Sequence, residues 1–329
     1  MRFLLFGIIS IAVILALLPH IVFLMVRLAG MIAHFRISYR PFGMAAVLLV
    51  VIWILTVIFG NVYGRFRHEV KQVQLSFESL PAAFDGYRIV HISDLHLDGW
   101  KGHEKKLQQR IDEINALHPD IICFTGDLIS LSPDELKPFI PILRQLHSNQ
   151  GGCVYAVLGN HDYMPYNRSV SQRQRDAAVR ELVRLEREEL GWAVLLNESA
   201  VIRHGGDSIA ILGCENQSVG THPVIQRGDL RKAIQSVPSS MFSILLTHDP
   251  SQWRKEVLSE TDIPLTLCGH THAMQLRLFG FTPSKWLYPE CDGLYQEGKQ
   301  YLYVNIGLGG TLPWRIGATP EITLITLKR

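Results

Sequence analysis

The sequence has 329 residues, of which 47% are hydrophobic and only 19% are charged, and at about 150 residues per domain this length predicts two structural units. The first 68 residues carry six arginines and no acidic residue, so the remainder holds 26 of the 32 basic residues together with all 30 acidic ones. A weakly acidic larger part excludes a basic nucleic-acid-binding protein, because phosphate groups would repel it, and the high apolar content excludes a disordered or collagen-like chain.

Two long uncharged runs lie within the first 68 residues, at residues 3–26 and residues 42–62. A bilayer requires about 20 consecutive apolar residues, so both runs are predicted to be transmembrane helices. The alternatives are a cleaved signal peptide for the first run and a buried core helix for the second. A signal peptide is disfavoured because the first run is longer than a signal h-region and lacks a small-residue cleavage site. We therefore predict a membrane anchor over residues 1–68 and a second domain over residues 69–329.

The orientation in the membrane rests on weak charge asymmetry and on the cysteines. With two spans, residue 1 and everything after residue 64 lie on the same side. That side carries four basic residues near the spans, against three in the connecting loop, which barely discriminates under the positive-inside rule. The five cysteines show no CxxC spacing and mostly adjoin apolar residues, which favours buried free thiols in a reducing compartment. We therefore expect a multi-pass cell-membrane protein whose larger domain is cytoplasmic.

From about residue 72, short β-branched runs alternate with amphipathic segments. Six runs are apolar enough to be strands buried on both faces, namely Arg88–Ile92, Ile121–Phe124, Val154–Leu158, Ile209–Leu212, Ser243–Leu246 and Leu265–Leu267. Four intervening segments are predicted helices, namely Glu104–Leu117, Pro133–Leu146, Val170–Leu190 and Asp229–Ser236. The alternation predicts an α/β domain rather than a β-barrel. Within it, Arg173–Glu189 is dense in Arg and Glu, which is typical of a solvated helix face more often than of a phosphate contact.

Polar side chains follow five of the apolar runs, where the carboxyl ends of strands in an α/β sheet collect ligands. In chain order they are Asp94 and His96, then Asp127, then Asn160, His161 and Asp162, then His248, and last His270 and His272. Carboxylate, imidazole and amide groups without a thiolate suit Mn²⁺, Fe²⁺ or Zn²⁺ rather than a structural zinc knot. Seven of these side chains are counted as metal ligands, namely Asp94, His96, Asp127, Asn160, His248, His270 and His272. Seven ligands exceed what one catalytic ion accepts, so two divalent ions that share a bridging carboxylate are expected.

The ordered motifs Asp-Leu-His, Gly-Asp, Gly-Asn-His-Asp, Thr-His-Asp and Gly-His-Thr-His resemble the signature of calcineurin-like metallophosphoesterases. The resemblance runs from about residue 85 to the C-terminus and includes Gly307-Leu308-Gly309, Arg315 and Pro320-Glu321-Ile322. It implies an α/β fold, a four-layer αββα sandwich, with a two-metal site. It further implies that one ion binds Asp94, His96, Asp127 and His272, and the other Asp127, Asn160, His248 and His270, with Asp127 as the bridge. In this scheme His161 contacts the leaving oxygen, and Asp162 orients the His161 ring.

One departure from this pattern concerns the segment after the last motif. Relatives with two transmembrane helices often continue Gly-His-Thr-His with Gly-Gly-Gln, whereas here Ala273 and Met274 precede Gln275. The change removes no expected ligand but alters the substrate lip. The chemistry itself follows from general principles, because a divalent pair activates water and offsets phosphoryl charge, and a protonated His161 can donate to the departing oxygen. No P-loop or Gly-x-Ser-x-Gly motif is present in the sequence.

We therefore predict a membrane-anchored phosphoesterase that hydrolyses a phosphodiester or pyrophosphate attached to a lipid, with the lipid bilayer and a phosphate ester as partners. The lipid-linked substrate is implied by the resemblance to membrane-associated family members that cleave nucleotide-linked or lipid-A-precursor pyrophosphates. The aromatic segment Leu278–Tyr288 is expected to form a lipid-facing lip in which Phe281, Trp286 and Tyr288 hold acyl chains, and a core-filling insertion is the alternative. Two other functions stay open. A phosphoprotein phosphatase should present a shallow, charged groove, and a non-catalytic metal-binding membrane protein would not require a placed acid such as His161.

Overall fold

The computed structural model describes residues 2–149, 151, 153–167, 169–219 and 225–329, and of residues 2–8 it describes the backbone only. The chain divides into two units. The first reaches to Arg65 and also includes Leu312–Ile316, and the second comprises Phe66–Thr311 and Gly317–Arg329.

The first unit contains two long apolar helices, α1 (Arg2–Ala33) and α2 (Arg40–Phe59), and a π-helical turn at Gly60–Gly64 continues the second. Two stretches, Ile9–Ala33 and Arg40–Gly64, are each long and apolar enough to cross a membrane. Most of their described side chains are exposed, which fits lipid-facing helices and not the core helix of a soluble protein. The predicted runs fall within these helices, although α1 extends about two turns beyond the uncharged run.

The second unit is built on two six-stranded sheets. The first sheet has the strand order β1-β12-β2-β3-β4-β5, where these strands are β1 (Glu69–Ser76), β2 (Arg88–Ile92), β3 (Ile121–Phe124), β4 (Val154–Ala156), β5 (Ala193–Val194) and β12 (Glu321–Lys328). The second sheet has the order β10-β11-β9-β8-β7-β6, with β6 (Glu198–His204), β7 (Asp207–Gly213), β8 (Ser243–Leu246), β9 (Leu265–Cys268), β10 (Gly293–Glu297) and β11 (Gln300–Val304).

Strand direction brings the polar strand ends together. In the first sheet β2, β3, β4 and β5 are mutually parallel, and β12 is antiparallel to β2. In the second sheet β7, β8, β9 and β11 are parallel, with antiparallel partners only at the two edges. The carboxyl ends of β2, β3 and β4 therefore share one edge of the first sheet, and those of β8 and β9 share one edge of the second.

The strands are apolar along their whole length because both of their faces are buried. On one face of β2, Ile89 packs in a cluster that contains residues from both sheets, such as Ile244. On the other face, Val90 and Ile92 pack in a second cluster with Leu107, which lies on a helix that covers the first sheet. A third cluster covers the outer face of the second sheet and includes Trp253. Together the clusters separate four layers, so the predicted αββα sandwich is confirmed.

The helices of this unit are α3 (Glu104–Ala116), α4 (Ile140–Leu143), α5 (Gln172–Arg184), α6 (Leu230–Ile234) and α7 (Leu258–Glu260). The predicted helix over Pro133–Leu146 was wrong as a single element. It is two 3₁₀ turns followed by α4, because Pro138 and Pro141 each remove a backbone donor from a helix interior. On α5, Arg184 pairs with Glu181 and Glu188 at 2.9 Å on an exposed face, as the solvated-face interpretation predicted.

The cysteines follow the predicted pattern with one exception. All five are free thiols, and four of them are buried, whereas Cys153 is exposed. Burial raises the pKa of the Cys214 thiol to about 12, so this buried side chain stays neutral and behaves as a small hydrophobic group. The expectation of buried thiols therefore holds for four positions and is wrong for Cys153, which directly precedes β4.

Candidate active site

The predicted ligands lie on five loops that follow buried strands. Asp94 and His96 follow β2, Asp127 follows β3, and Asn160 follows β4, and the second sheet contributes His248 after β8 and two histidines after β9. Every side chain of this set is buried except His270, which is only partly exposed. The two sheets thus bring together seven side chains that are far apart in sequence.

The first group of potential ligands is Asp94, His96 and His272, whose ligand atoms lie within 4.8 Å of one another. Asp94 Oδ1 is 3.2 Å from His272 Nε2 and 3.9 Å from His96 Nε2. The two ring nitrogens of the histidines are themselves 3.2 Å apart. One carboxylate oxygen and two imidazole nitrogens therefore converge on one point, which is the donor set that a borderline divalent cation prefers.

The second group is Asp94, Asp127 and His248. Asp127 Oδ2 is 3.3 Å from His248 Nε2 and 3.5 Å from His96 Nε2, so it faces a histidine of each predicted ion. This is the position that a bridging carboxylate requires. Asp94 also belongs to both groups, and the sequence did not indicate that second shared carboxylate. The assignment of Asp127 as the bridge stays a prediction.

Asn160 and His270 complete the predicted set on the side of His248. Asn160 Oδ1 and His270 Nδ1 are 2.7 Å apart, and the His270 ring lies edge-on to the His248 ring with 5.0 Å between centroids. The other ring nitrogen of His270 is 2.8 Å from the Tyr288 hydroxyl and 3.6 Å from a carboxylate oxygen of Asp249. The amide oxygen and the imidazole are therefore adjacent, as ligands of one ion would be.

The residues present fit a pair of divalent ions. Asp94 Oδ1 and His248 Nε2 are buried and make no hydrogen bond, and such orphaned polar atoms are costly unless another group, here a cation, engages them. His248 Nδ1 donates to the Thr125 carbonyl oxygen at 2.6 Å, which leaves Nε2 with the lone pair that a metal ligand needs. Oxygen and nitrogen donors without a thiolate match Mn²⁺, Fe²⁺ or Zn²⁺.

The electrostatics of the metal-free site point the same way. Burial raises the pKa of Asp94 to about 6. Burial also opposes ionisation of Asp127, but the neighbouring His248 and His161 hold its pKa well below the usual range. Burial lowers the pKa of His248, whereas Asp127 and Asp94 raise it to about 10 overall. A proton on His248 thus offsets the carboxylate charge, and a divalent cation would take over that role.

Backbone conformation at the site is unusual. Five of the predicted ligands have a positive φ in the left-handed region, namely Asp94 (53°), His96 (45°), Asp127 (58°), His270 (76°) and His272 (50°). Each costs on the order of 1–3 kcal/mol and persists where the surrounding structure enforces it, commonly at functional sites. The glycine that precedes Asn160 contributes to this arrangement, because a Cβ at Gly159 would collide with the Asp127 carboxylate. The glycine therefore permits the close approach of the two loops.

His161 lies at the mouth of this cluster. Its backbone N–H donates to Asp127 Oδ1 at 2.8 Å, and its ring Nδ1 donates to the Ser130 carbonyl oxygen at 3.0 Å. The ring packs against Tyr166 on one side, with 4.5 Å between centroids, and edge-on against His96 on another. With Nδ1 engaged, Nε2 is the nitrogen left to meet a substrate, as the predicted acid requires.

Asp162 does not hold the His161 ring, so that part of the prediction was wrong. Its buried carboxylate accepts four backbone N–H groups, two at each oxygen. The donors are Asp127, Leu128, Ile129 and Gly159 at 2.8–3.2 Å. Asp162 therefore ties the loop after β3 to the loop after β4, and the Ser130 carbonyl orients His161. The sequence position of Asp162 alone could not distinguish a carboxylate that orients His161 from one that joins two loops.

Three further contacts were not predicted from the sequence as parts of the site. Tyr166 packs on His161 and accepts a hydrogen bond from Asn160 at 3.2 Å, and Tyr288, expected only at the lip, reaches His270. Ser130 supplies the carbonyl described above. Backbone carbonyls and single tyrosines have no sequence signature of their own, so only the folded chain identifies them.

An αββα sandwich whose strand ends gather carboxylates, imidazoles and an amide is the architecture of a metallohydrolase. Residues 87–274 match the family model of the calcineurin-like phosphoesterases, which covers more than half of the chain. The chain therefore belongs to the calcineurin-like metallophosphoesterase family. The resemblance seen in the ordered motifs is confirmed.

Several known proteins are similar to this chain over most of its length, and one of those described next is named as a transmembrane protein. The chain is 34% identical over 286 residues to the uncharacterized metallophosphoesterase YkuE of Bacillus subtilis, which covers 82% of this chain and 91% of that one. It is 31% identical over 290 residues to a transmembrane protein with metallophosphoesterase domain of Danio rerio, covering 86% of this chain and 62% of that one. It is 29% identical over 300 residues to the UDP-2,3-diacylglucosamine pyrophosphatase LpxG of Chlamydia trachomatis, covering 75% of this chain and 86% of that one.

Proposed function

We propose that the protein is a membrane-anchored, dinuclear-metal phosphoesterase that hydrolyses a lipid-linked phosphodiester or pyrophosphate. The observation that carries the proposal is the buried convergence of Asp94, Asp127 and His248 with His96 and His272, in which two ligand atoms lack any hydrogen bond. Mn²⁺, Fe²⁺ and Zn²⁺ are the ions that suit these donors. Asn160 and His270 complete the ligands.

The residues of the chain divide the chemical work. A divalent pair, when bound, supplies an activated water nucleophile and offsets the negative charge of the phosphoryl group. Asp94 and Asp127 would hold the divalent ions at the centre of the site. The hydrogen bond from His248 Nδ1 to the Thr125 carbonyl oxygen keeps His248 in the tautomer whose Nε2 can bind a metal. The Ser130 carbonyl oxygen engages Nδ1 of His161, so Nε2 is the ring atom that would donate a proton to the departing oxygen when the ring is doubly protonated. Such acid catalysis typically contributes about 10²–10⁴-fold to the rate.

A second phosphate group is favoured by a cavity beside the site. The cavity has a volume of about 600 Å³, and Asp249 and Tyr288, which approach His270, line it together with Arg254 and Lys255. Arg254 is paired with Glu290 and Glu297. The described contacts of Lys255 include no side-chain ion pair, so its charge is available for an anionic group. A pyrophosphate or a phosphorylated leaving group would fill this space.

The lipid-linked character rests on two further observations. The first unit provides two helices long and apolar enough to cross a bilayer, which would confine the catalytic unit to the membrane surface. LpxG, a relative at 29% identity, carries a name that specifies a diacylated sugar nucleotide pyrophosphate as its substrate. The exposed apolar side chains within residues 274–287 also favour a lipid-linked substrate over a phosphoprotein. We propose a cytoplasmic orientation because four of the five free thiols are buried and none is paired.

The function is tested with the full-length chain in detergent, supplied with Mn²⁺. The substrates are an aryl phosphodiester, an aryl phosphomonoester, a phosphopeptide and a lipid-linked pyrophosphate in mixed micelles. We expect turnover of the diester and faster turnover of the pyrophosphate, and a loss of at least 100-fold in Asp127→Asn. The exposed acid Asp134 provides a matched control, Asp134→Asn, which should retain activity. Wild-type turnover by Asp127→Asn, or a preference for the phosphopeptide, would contradict the proposal.

The second-phosphate site and the orientation have their own tests. Lys255→Ala should raise KM for the pyrophosphate and leave KM for the aryl diester unchanged, whereas Lys299→Ala, at a fully exposed turn, should change neither. Equal effects of Lys255→Ala on both substrates would remove the assignment. For orientation, reporters placed after Arg329 and near Ser38 should report the cytoplasm and the exterior, respectively. Reporters on the same side would contradict two spans.

A further inference from the structure

Exposed apolar side chains of the catalytic unit are concentrated around the candidate active site. In the part of this unit that the structure describes, ten large hydrophobic side chains are exposed, and six of them fall within residues 274–287. We call these six the apolar rim, namely Met274, Leu278, Phe279, Phe281, Trp286 and Leu287. Two of the remaining four also lie near His161. Leu131 directly follows Ser130, whose carbonyl oxygen accepts a hydrogen bond from His161, and the Tyr166 ring packs against the His161 ring. Such a concentration indicates an interaction surface.

The tip of the rim is a tight turn that displays a phenylalanine. Leu278 and Phe281 exchange both backbone hydrogen bonds at 2.9 Å, and Phe279 and Gly280 occupy the turn with φ values of 51° and 80°. A left-handed φ is unfavourable for a bulky residue other than glycine, asparagine or aspartate. Phe279 is nevertheless fully exposed, so it gains no burial within the catalytic unit that would offset this conformation.

The rim rests on buried polar contacts, so it is not a core-filling insertion. Thr282 is fully buried, and its hydroxyl donates to the Ala273 carbonyl oxygen at 2.6 Å and accepts the Ser284 backbone N–H at 3.2 Å. The Phe281 and Trp286 rings pack against each other with 5.4 Å between centroids. The fold therefore holds these apolar groups outward on an ordered base.

The charges around the rim select its partner. Residues 270–288 contain no acidic residue, while Arg277 and Lys285 provide two cations. Arg277 pairs with Asp292, but Lys285 is exposed and makes no ion pair among the described residues. Tryptophan and phenylalanine beside an unpaired lysine are the side chains that occupy the interface between lipid headgroups and acyl chains.

The rim is continuous with the active site. Leu287 belongs to the rim and also lines the cavity of about 600 Å³, next to Tyr288. The Tyr288 hydroxyl in turn lies 2.8 Å from His270. An apolar surface therefore leads from the exposed Phe279 to a side chain that contacts a predicted metal ligand.

We propose that the apolar rim inserts into the interfacial layer of a bilayer, so that the active site takes its substrate from the plane of the membrane. The partner is a lipid surface, because the rim is apolar, free of acidic groups and carried by a chain with two apolar helices of membrane-spanning length. The route of the substrate rests on the function proposed above, whereas the insertion itself does not. Insertion also accounts for the exposed Phe279 in a left-handed turn.

The insertion is measured with the full-length chain in vesicles of phosphatidylcholine and phosphatidylglycerol. In a Cys153→Ser background, an environment-sensitive fluorophore is attached at Phe279→Cys or, as the control, at Lys299→Cys in the turn between β10 and β11. We expect the label at position 279 to shift to shorter wavelength and to be quenched by lipids that carry a quencher, and the label at position 299 to do neither. Absence of lipid quenching at position 279 would overturn the proposal. If the emission of that label nevertheless shifted to shorter wavelength, the rim would be assigned to a protein partner or a second copy.

The consequence for catalysis is tested with Phe279→Asp. Aspartate tolerates a left-handed φ, so the variant should fold. We expect at least a 10-fold loss of rate on a vesicle-embedded lipid pyrophosphate and less than a twofold change on a soluble aryl diester, with Val201→Asp on the exposed face of β6 as the matched control. Equal losses on both substrates would overturn the role of the rim. If the wild type hydrolyses neither substrate, the proposed function fails, while the fluorescence result still decides the insertion.

Discussion

Asp162 provides the sharpest separation between a catalytic and a structural role. Its carboxylate accepts four backbone N–H groups from the loops after β3 and β4, and His161 is oriented by Ser130 instead. The substitution Asp162→Asn keeps the shape of the side chain but replaces one accepting oxygen with an NH₂ group. That NH₂ would face two N–H donors, so two hydrogen bonds are lost and two buried donors are left unpaired.

The size of the effect follows from those two donors. A buried donor without a partner costs about 1–3 kcal/mol, so Asp162→Asn should lower the free energy of unfolding by about 2–6 kcal/mol. This is a large share of a typical total of about 5–15 kcal/mol. In a unit of this size, about 1 kcal/mol corresponds to roughly 2–4 °C in Tm, so Tm should fall by roughly 5–20 °C. Metal affinity should fall as well, because the same loops carry Asp127 and Asn160.

The assay is thermal unfolding of the full-length chain in detergent, followed by circular dichroism with and without Mn²⁺, together with the metal content of each variant. His161→Ala is the comparison, since it removes a partly exposed ring and one hydrogen bond and should change the stability by only about 1 kcal/mol. If Asp162→Asn keeps its Tm and its metal and merely loses rate, as His161→Ala does, then the structural role is refuted and the sequence-based role of orienting His161 is restored.

Three further predictions concern the acid, the pH dependence of metal binding and the strained turn. His161→Ala should retain both metal ions while turnover of an aryl diester falls by about 10²–10⁴-fold, and loss of metal in this variant would exclude the role outside the ligand shell. Because the pKa of His248 in the metal-free site is raised to about 10, metal binding near neutral pH must displace its proton. Calorimetry should then show proton release and an affinity that rises about tenfold per pH unit between pH 6.5 and 8, and a pH-independent affinity would contradict this. Phe279→Gly should relieve about 1–2 kcal/mol of left-handed strain against about 0.5–1 kcal/mol of added chain entropy, so a small rise in Tm is expected in detergent, and a fall would show that the ring contributes packing.

The central strands could be predicted from sequence because they are buried on both faces. The segments Arg88–Ile92, Ile121–Phe124 and Ser243–Leu246 are strands with the predicted bounds. Strand β6 was not predicted although it pairs with the next strand, β7, across the two-residue turn Gly205-Gly206, which is a local hairpin signal. Strand β1 was not predicted because its half-exposed, mixed sequence is stabilised by pairing with the distant β12. Such long-range pairing leaves no local pattern to detect.

The candidate site shows the same division. The residues that could bind metal were found because glycine-flanked carboxylates and histidines repeat at strand ends, and the structure brings them together. The contacts that orient them were not found, because they run through backbone groups, such as the Ser130 carbonyl and the four N–H groups on Asp162. The rim was expected from its aromatic composition, but its left-handed turn at Phe279 is a property of the folded backbone alone.

The central claim is that the chain holds two divalent ions joined by a shared carboxylate. The most direct measurement is the electron paramagnetic resonance spectrum of the full-length chain loaded with two equivalents of Mn²⁺. The structure predicts a spin-coupled pair in the wild type and its loss in Asp127→Asn, because Asp127 Oδ2 faces histidines of both predicted ions. A spectrum of isolated Mn²⁺ ions in the wild type, or binding that saturates at one ion per chain, would contradict the account.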